Sequence, residues 1–271
     1  MTDGADAVSR SRPLALNPGA DTWPVLALLG LAAAAWIVTV DRIQGMDMGP
    51  GKDLGGFGWF AGVWVVMMAG MMLPSLSPMA VAYSRGAGGG RMGSLGGTLL
   101  FAAGYLMVWL VAGLIAYALI EGARSLDLGF LGWDEGGRYV AGGVIVGAAL
   151  YELTPVKRRC LRHCRDSRML QQRPGAIGAL RMGVEQGGFC VGCSWALMAA
   201  LFALGVMSIA WMVVIAALIA IEKLLPWELL PSGATAVVLV VLGIGVALFP
   251  DEVPGLTDPA GSMDTMSSMS M

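Results

Sequence analysis

The chain has 271 residues, of which 13% are charged and 56% are hydrophobic, and its mean hydropathy is +0.71. Soluble domains carry about 25% charged residues, so this chain has too few charges to cover a water-soluble globule. The formal net charge is only -2, and no domain-wide basic field exists, which argues against a disordered or nucleic-acid-binding protein. We therefore expect a polytopic membrane protein whose main partner is the lipid bilayer.

Seven apolar stretches predict an all-α bundle of transmembrane helices within residues 24–249. A bilayer core requires roughly 20 apolar residues per straight helix. The first and fourth stretches are short, so six helices are an alternative count, and the fifth could begin as early as Ala176. The stretches run Pro24–Val40, Phe57–Ala82, Leu95–Ile120, Tyr139–Leu153, Gly187–Leu204, Val206–Leu225 and Gly233–Phe249. Most of the 40 glycines are expected to allow close helix packing.

The distribution of Lys and Arg predicts the orientation of the chain in the membrane. The segment Thr154–Gln186 carries eight basic residues, and short basic loops stay in the cytoplasm. Counting from there, residues 1–23 form a cytoplasmic segment and residues 250–271 form an extracytoplasmic tail. The first apolar stretch lacks a small-residue cleavage site, so we expect it to be retained as a helix.

The second stretch carries two pairs of methionines at helical spacing. Met67 with Met71, and Met68 with Met72, are each four residues apart, so a helix places them on one face. Thioether sulfur is a soft donor that suits Cu(I) and suits magnesium or zinc poorly. The alternative is that these four side chains are apolar filler, for which Met is well suited. Pro74 and Pro78 are expected to break or kink the end of this helix.

More methionines lie in segments predicted to face the outside. Met46 and Met48 are in the first outside loop, and the Ser-rich tail contains Met263, Met266, Met269 and Met271. An exposed terminus has no core that its methionines could fill. These methionines are therefore explained either by a copper-gathering function or by random sequence drift in a low-complexity segment.

The four cysteines form two pairs on the predicted cytoplasmic side. Cys160 and Cys164 lie in the basic segment, and Cys190 and Cys193 open the fifth stretch. A disulfide is disfavoured in the reducing cytoplasm. A Cu(I) dithiolate, a zinc clip using both pairs and a redox pair remain as alternatives.

Three carboxylates lie at the cytoplasmic ends of apolar stretches, namely Glu152, Glu185 and Glu222. Placing an ionisable group inside a membrane span is unfavourable in free energy, so such groups usually mark ion pathways or ion pairs. For Glu222, which precedes Lys223, a simple interfacial position is an equal alternative.

Several of these motifs occur in the order seen in one bacterial family. The chain resembles a family of predicted metal-binding integral membrane proteins of unknown function, over roughly residues 57–225. The resemblance implies metal binding in a membrane and supplies no transported substrate. Ser194 stands where that family often has a further Cys. The matching motifs are Trp64-x-x-Met-Met-x-x-Met-Met-x-Pro74, Gly104-Tyr105 with Trp109, Tyr151-Glu152-x-x-Pro155-x-Lys157-x-x-Cys160-x-x-x-Cys164, Gly188-Phe189-Cys190-x-Gly192-Cys193 and Glu222-Lys223.

We therefore expect a membrane protein that binds Cu(I) through Met and Cys and handles or transports it. This expectation favours a metal carrier over an enzyme, and no catalytic residue is predicted. The first alternative is a zinc-binding accessory subunit that contacts a partner protein or a second copy. The second is a thiol redox protein in which Cys190 and Cys193 form the active pair.

Overall fold

The computed structural model describes residues 22–43, 56–79, 81, 91–125, 137–165, 175–204, 208–225 and 230–249. These residues form eight α-helices and one 3-10 turn, with no strand among them. The helices are α1 (Thr22–Ile43), α2 (Phe57–Met72), α3 (Arg91–Ser125), α4 (Arg138–Glu152), α5 (Pro155–Arg165), α6 (Ala176–Leu204), α7 (Ile209–Leu224) and α8 (Leu230–Leu248). The all-α helical bundle expected from the sequence is confirmed.

Every one of the seven apolar stretches is helical, but fewer than seven helices are long enough to span a membrane. In the described residues five helices qualify by length and hydropathy, or six if α4 and α5, which meet at a 66° bend, form one broken span. Two of the apolar stretches give short helices, since α4 has 15 residues and α7 has 16, against the roughly 20 that a span requires. Among the described residues the number of candidate spans is therefore five or six, and six is the alternative count expected from the sequence. The protein is a membrane protein with a helical membrane domain.

The basic segment expected to be a loop contains the helix α5. Its interior face carries Lys157, Leu161 and Cys164, which are all buried. These positions follow the i, i+4, i+7 spacing of an amphipathic helix. The next helix, α6, begins at Ala176, the earlier of the two starts considered for the fifth stretch. Between α4 and α6, the short helix α5 thus contributes one cysteine to the protein interior.

The prediction that proline interrupts the second span is confirmed. Helix α2 ends at Met72 and is followed by a 3-10 turn from Pro74 to Leu76. The Met72 carbonyl accepts a hydrogen bond from Ser75 Oγ at 2.7 Å, which satisfies a polar group that water would otherwise have to reach. The turn therefore places Ser75 beside the last methionine of α2.

Close approach between α3 and α6 depends on glycine. A Cβ atom added at Gly183 would collide with the backbone carbonyl of Phe101, and one added at Gly104 would collide with that of Leu180. Small residues allow this contact because nothing projects between the two backbones. Tyr105 of α3 is thereby brought against Cys190 of α6.

We predict that Gly183→Ala lowers the free energy of unfolding by about 1–3 kcal/mol, because the added methyl group forces the two helices apart. Gly188→Ala, in the same helix, is the matched control, since a Cβ there meets nothing within 4 Å. The control should be neutral or slightly stabilising. Thermal unfolding in detergent measures both. Equal stability of the two variants would show that the glycine contact does not determine the packing.

Candidate metal centre

Three thiols from two helices meet in the protein interior. Cys190 and Cys193 lie on α6, Cys164 lies on α5, and all three are buried free thiols. The Sγ atoms of Cys164 and Cys193 are 3.6 Å apart, and Cys190 lies one turn before Cys193 on α6, where it is buried on the same face. The Cys193 thiol donates to the Cys190 carbonyl at 3.3 Å. The bend before α5 thus brings together sulfurs that are far apart in the sequence.

Cys160 lies one turn from Cys164 and is only partly buried. Its sulfur covers Gly192, where an added Cβ would lie 2.9 Å from Sγ. The buried thiol cluster therefore consists of three cysteines, with Cys160 at its edge. Among the described residues, no group of three or more His, Cys, Asp or Glu side chains is arranged as a ready-made ion site.

A lysine and a tyrosine point their polar groups at Cys190. Lys223 Nζ donates to Cys190 Sγ at 2.9 Å, and Tyr105 Oη lies 2.8 Å from the same sulfur. An ammonium group next to sulfur forms a charge-assisted hydrogen bond, which is stronger for a thiolate than for a neutral thiol. This arrangement favours the anionic form of Cys190 that acts as a metal ligand.

The methionine face of α2 ends beside the same lysine. Met67, Met68, Met71 and Met72 are all at most 4% exposed and belong to the central apolar core. Met72 is the one whose Sδ lies next to Lys223 Nζ, at 3.9 Å. Ser75 Oγ accepts a hydrogen bond from the same ammonium at 3.3 Å. A thioether and a thiol therefore both contact the Lys223 ammonium group.

Next to the thiols is a buried cluster of two carboxylates and one lysine. Lys157 Nζ donates to Glu222 Oε2 at 2.7 Å and also pairs with Glu152. The three side chains are at most 3% exposed, and Oε1 of each glutamate lacks a hydrogen-bond partner in the described part of the chain. Two of the three predicted carboxylates, Glu152 and Glu222, thus meet at Lys157. In the sequence, this lysine is recognised only as part of a family motif.

Glu185, the third predicted carboxylate, lies apart from this cluster. It is 40% exposed and pairs with Arg181 on the same helix at 3.5 Å. This i, i+4 pair on a helix surface is typical of a solvated or interfacial face and contributes little energy.

Helix α5 is attached to its neighbours by polar contacts near the thiols. Arg165 donates to the Glu222 carbonyl, and Gln186 Nε2 donates to the Cys164 carbonyl at 2.9 Å. Just before the bend into α5, Tyr151 Oη of α4 donates to the Gly192 carbonyl of α6 at 2.6 Å. These contacts fix the position of Cys164 against α6 and α7.

The methionines predicted to face the outside lie beyond the described residues. These are Met46 and Met48 of the first outside loop and Met263, Met266 and Met269 of the tail. Sequence reasoning missed Lys223 and Tyr105 as neighbours of Cys190. A lysine in the last turn of an apolar helix was the available signal, because such a cation needs a partner.

A membrane-embedded helical bundle that encloses thiols and thioethers defines a metal-handling membrane protein. The chain belongs to the PpoB2 family, described as a copper chaperone, whose model matches residues 61–246. No curated protein and no solved structure matches the chain. The matched residues include the three buried thiols, the α2 methionines and Lys223, so copper handling is the general function of this protein.

We predict that Lys157→Met lowers the free energy of unfolding by about 3–5 kcal/mol, because it leaves two buried carboxylates without a cation. Adding Glu222→Gln to this variant should restore part of the loss. Arg159→Met, on the exposed side of α5, is the control and should change stability by no more than about 0.5 kcal/mol. Denaturation in detergent micelles measures all three. A loss no larger than that of the control would contradict an ionised buried cluster.

Proposed function

We propose that the protein binds Cu(I) with the thiols of Cys164, Cys190 and Cys193 and the thioether of Met72, and carries it through the membrane. The observation that supports this most strongly is the meeting of three buried thiols from α5 and α6. Thiolate and thioether ligands select Cu(I) over harder cations. Zinc structural sites usually have four closed ligands, and Cys160 lies at the edge of the cluster rather than inside it.

The harder donors near the thiols already have other partners. Glu152 and Glu222 share Lys157. His163, the only histidine of the chain, packs against the Phe189 ring with a centroid distance of 4.0 Å. The thiols are the donors that meet one another at this position, and a soft donor set favours copper over zinc.

The methionines suggest a route for the ion. Met46, Met48, Met263, Met266 and Met269 would collect Cu(I) outside, and the α2 methionines would pass it toward the thiols. Transfer from thioethers to thiolates runs from weaker to stronger soft donors, which gives an inward direction. The basic residues of α5 support a position of the thiols on the cytoplasmic side of a bacterial inner membrane. The sequence contains no phosphate-binding loop, so we expect transport driven by gradients or by a receiving protein.

One distance favours a second function, that of a thiol redox protein. Cys164 Sγ and Cys193 Sγ are 3.6 Å apart, and a small movement of α5 would bring them to the disulfide bond length of about 2.05 Å. The pair differs from the Cys190–Cys193 pair expected from the sequence. Its oxidation would release two protons and pass two electrons to an acceptor such as a quinone.

We predict that Cys164→Ser, Cys190→Ser and Cys193→Ser each weaken Cu(I) binding by at least about tenfold, because each removes a soft ligand. Met72→Leu keeps the side-chain volume and should also weaken binding. Cys160→Ser and Met107→Leu, which changes an exposed methionine of α3, are the matched controls and should bind like the wild type. The measurement is competition with bicinchoninate for Cu(I) in detergent-purified protein, together with elemental analysis.

Two results would contradict this proposal. Purified protein that retains zinc and takes up neither Cu(I) nor Ag(I) would favour the accessory zinc protein. Protein that binds neither metal, but forms a reversible Cys164–Cys193 disulfide with a mild oxidant, would favour the redox protein.

A further inference from the structure

The ammonium group of Lys223 is directed at sulfur rather than at a carboxylate. The preceding residue, Glu222, is engaged by Lys157. Within the part of the chain that the structure describes, the hydrogen-bond partners of Lys223 Nζ are Cys190 Sγ, Ser75 Oγ and Met72 Sδ, at 2.9, 3.3 and 3.9 Å. Lys223 is half-buried, and a cation withdrawn from water is stabilised by an anionic partner. A thiolate at Cys190, which Tyr105 also contacts, would be such a partner.

This ammonium group contacts two of the sulfurs that we assign as copper ligands. Nζ lies 2.9 Å from the Cys190 thiol and 3.9 Å from the Met72 thioether. Two cations cannot occupy one position between the same donors, because the repulsion between unit charges at contact distance is large at low dielectric. Cu(I) can reach Cys190 and Met72 together only if the lysine leaves.

We propose that Lys223 is a tethered cation that Cu(I) displaces on binding and that competes with the metal for the same sulfurs during release. This inference rests on the proposed function. Ser75 gives the displaced ammonium an acceptor at the edge of the site, since its hydroxyl already contacts Nζ and is fixed by its bond to the Met72 carbonyl. The lysine therefore remains nearby after the metal has entered.

A competitor attached to the protein acts at a high effective concentration, as any tethered ligand does. Each time a copper–sulfur bond opens, the ammonium can bind the sulfur before the metal rebinds. The result is a site that holds Cu(I) with soft donors yet releases it quickly. A protein that must pass copper to the next carrier requires this combination.

The test compares the rate of copper release from full-length variants in detergent. Wild type and Lys223→Gln are loaded with one equivalent of Cu(I) and then mixed with excess bicinchoninate. We expect release from Lys223→Gln to be slower by at least about tenfold, because the tethered competitor is gone. Arg181→Gln removes a cation from the exposed surface of the neighbouring helix α6 and should release copper like the wild type.

The outcomes separate this inference from the function on which it rests. Unchanged or faster release from Lys223→Gln, with wild type still binding Cu(I), overturns the inference alone. Weaker binding with faster release would show that Lys223 positions the thiolate instead of competing for it. A wild-type protein that binds no Cu(I) overturns both the inference and the proposed function.

A second measurement requires no substitution in the loaded protein and therefore still applies if Lys223→Gln does not fold. The chain has only three lysines, Lys52, Lys157 and Lys223, so selective 15N labelling gives few side-chain signals. The Lys223 signal is assigned by its absence from Lys223→Arg. One equivalent of Ag(I) should accelerate hydrogen exchange at the Lys223 ammonium and leave Lys157 unchanged. Unchanged or slower exchange at Lys223 would overturn the displacement.

Discussion

The candidate site depends on one lysine buried between two glutamates. Lys157 pairs with Glu152 at the end of α4 and with Glu222 at the end of α7, so it joins three helices at one point. A buried charge is strongly unfavourable unless it is paired, and this requirement holds α5 against the bundle. With α5 in that position, Cys164 reaches the thiols of α6. The ionic cluster thus performs a structural task beside a site that itself uses soft donors.

The contrast between hard and soft groups explains how the two clusters coexist. The two carboxylates pair with the Lys157 ammonium group, and beside them the thiols of Cys164 and Cys193 contact each other. Lys223 is the exception, because its ammonium group contacts Cys190 instead of a carboxylate. The single charge on this group matches that of Cu(I), which is why we connect its position to the loading and release of the metal. The glycine contact between α3 and α6 completes the arrangement by bringing Tyr105 to the same sulfur.

The sequence predicted the all-α membrane class well, because low charge and long apolar runs are direct consequences of a lipid environment. It also predicted the break at Pro74, since proline cannot continue the hydrogen-bond ladder. It did not predict α5, because a strongly basic segment with one buried face resembles a loop by composition alone. It did not predict the partner of Lys223, because the adjacent Glu222 points in a different direction on the helix and Cys190 is distant in the sequence. The pairing of Cys164 with Cys193 depends on the 66° bend between α4 and α5, which no local pattern encodes.

X-ray absorption at the copper edge tests the central claim most directly. Full-length protein loaded with one equivalent of copper should show a Cu(I) edge and a first shell that contains only sulfur. The sulfur count should fall in Cys190→Ser and stay constant in Cys160→Ser. A first shell dominated by nitrogen or oxygen, or a spectrum that is the same in both variants, would contradict a copper site built from the buried thiols and Met72.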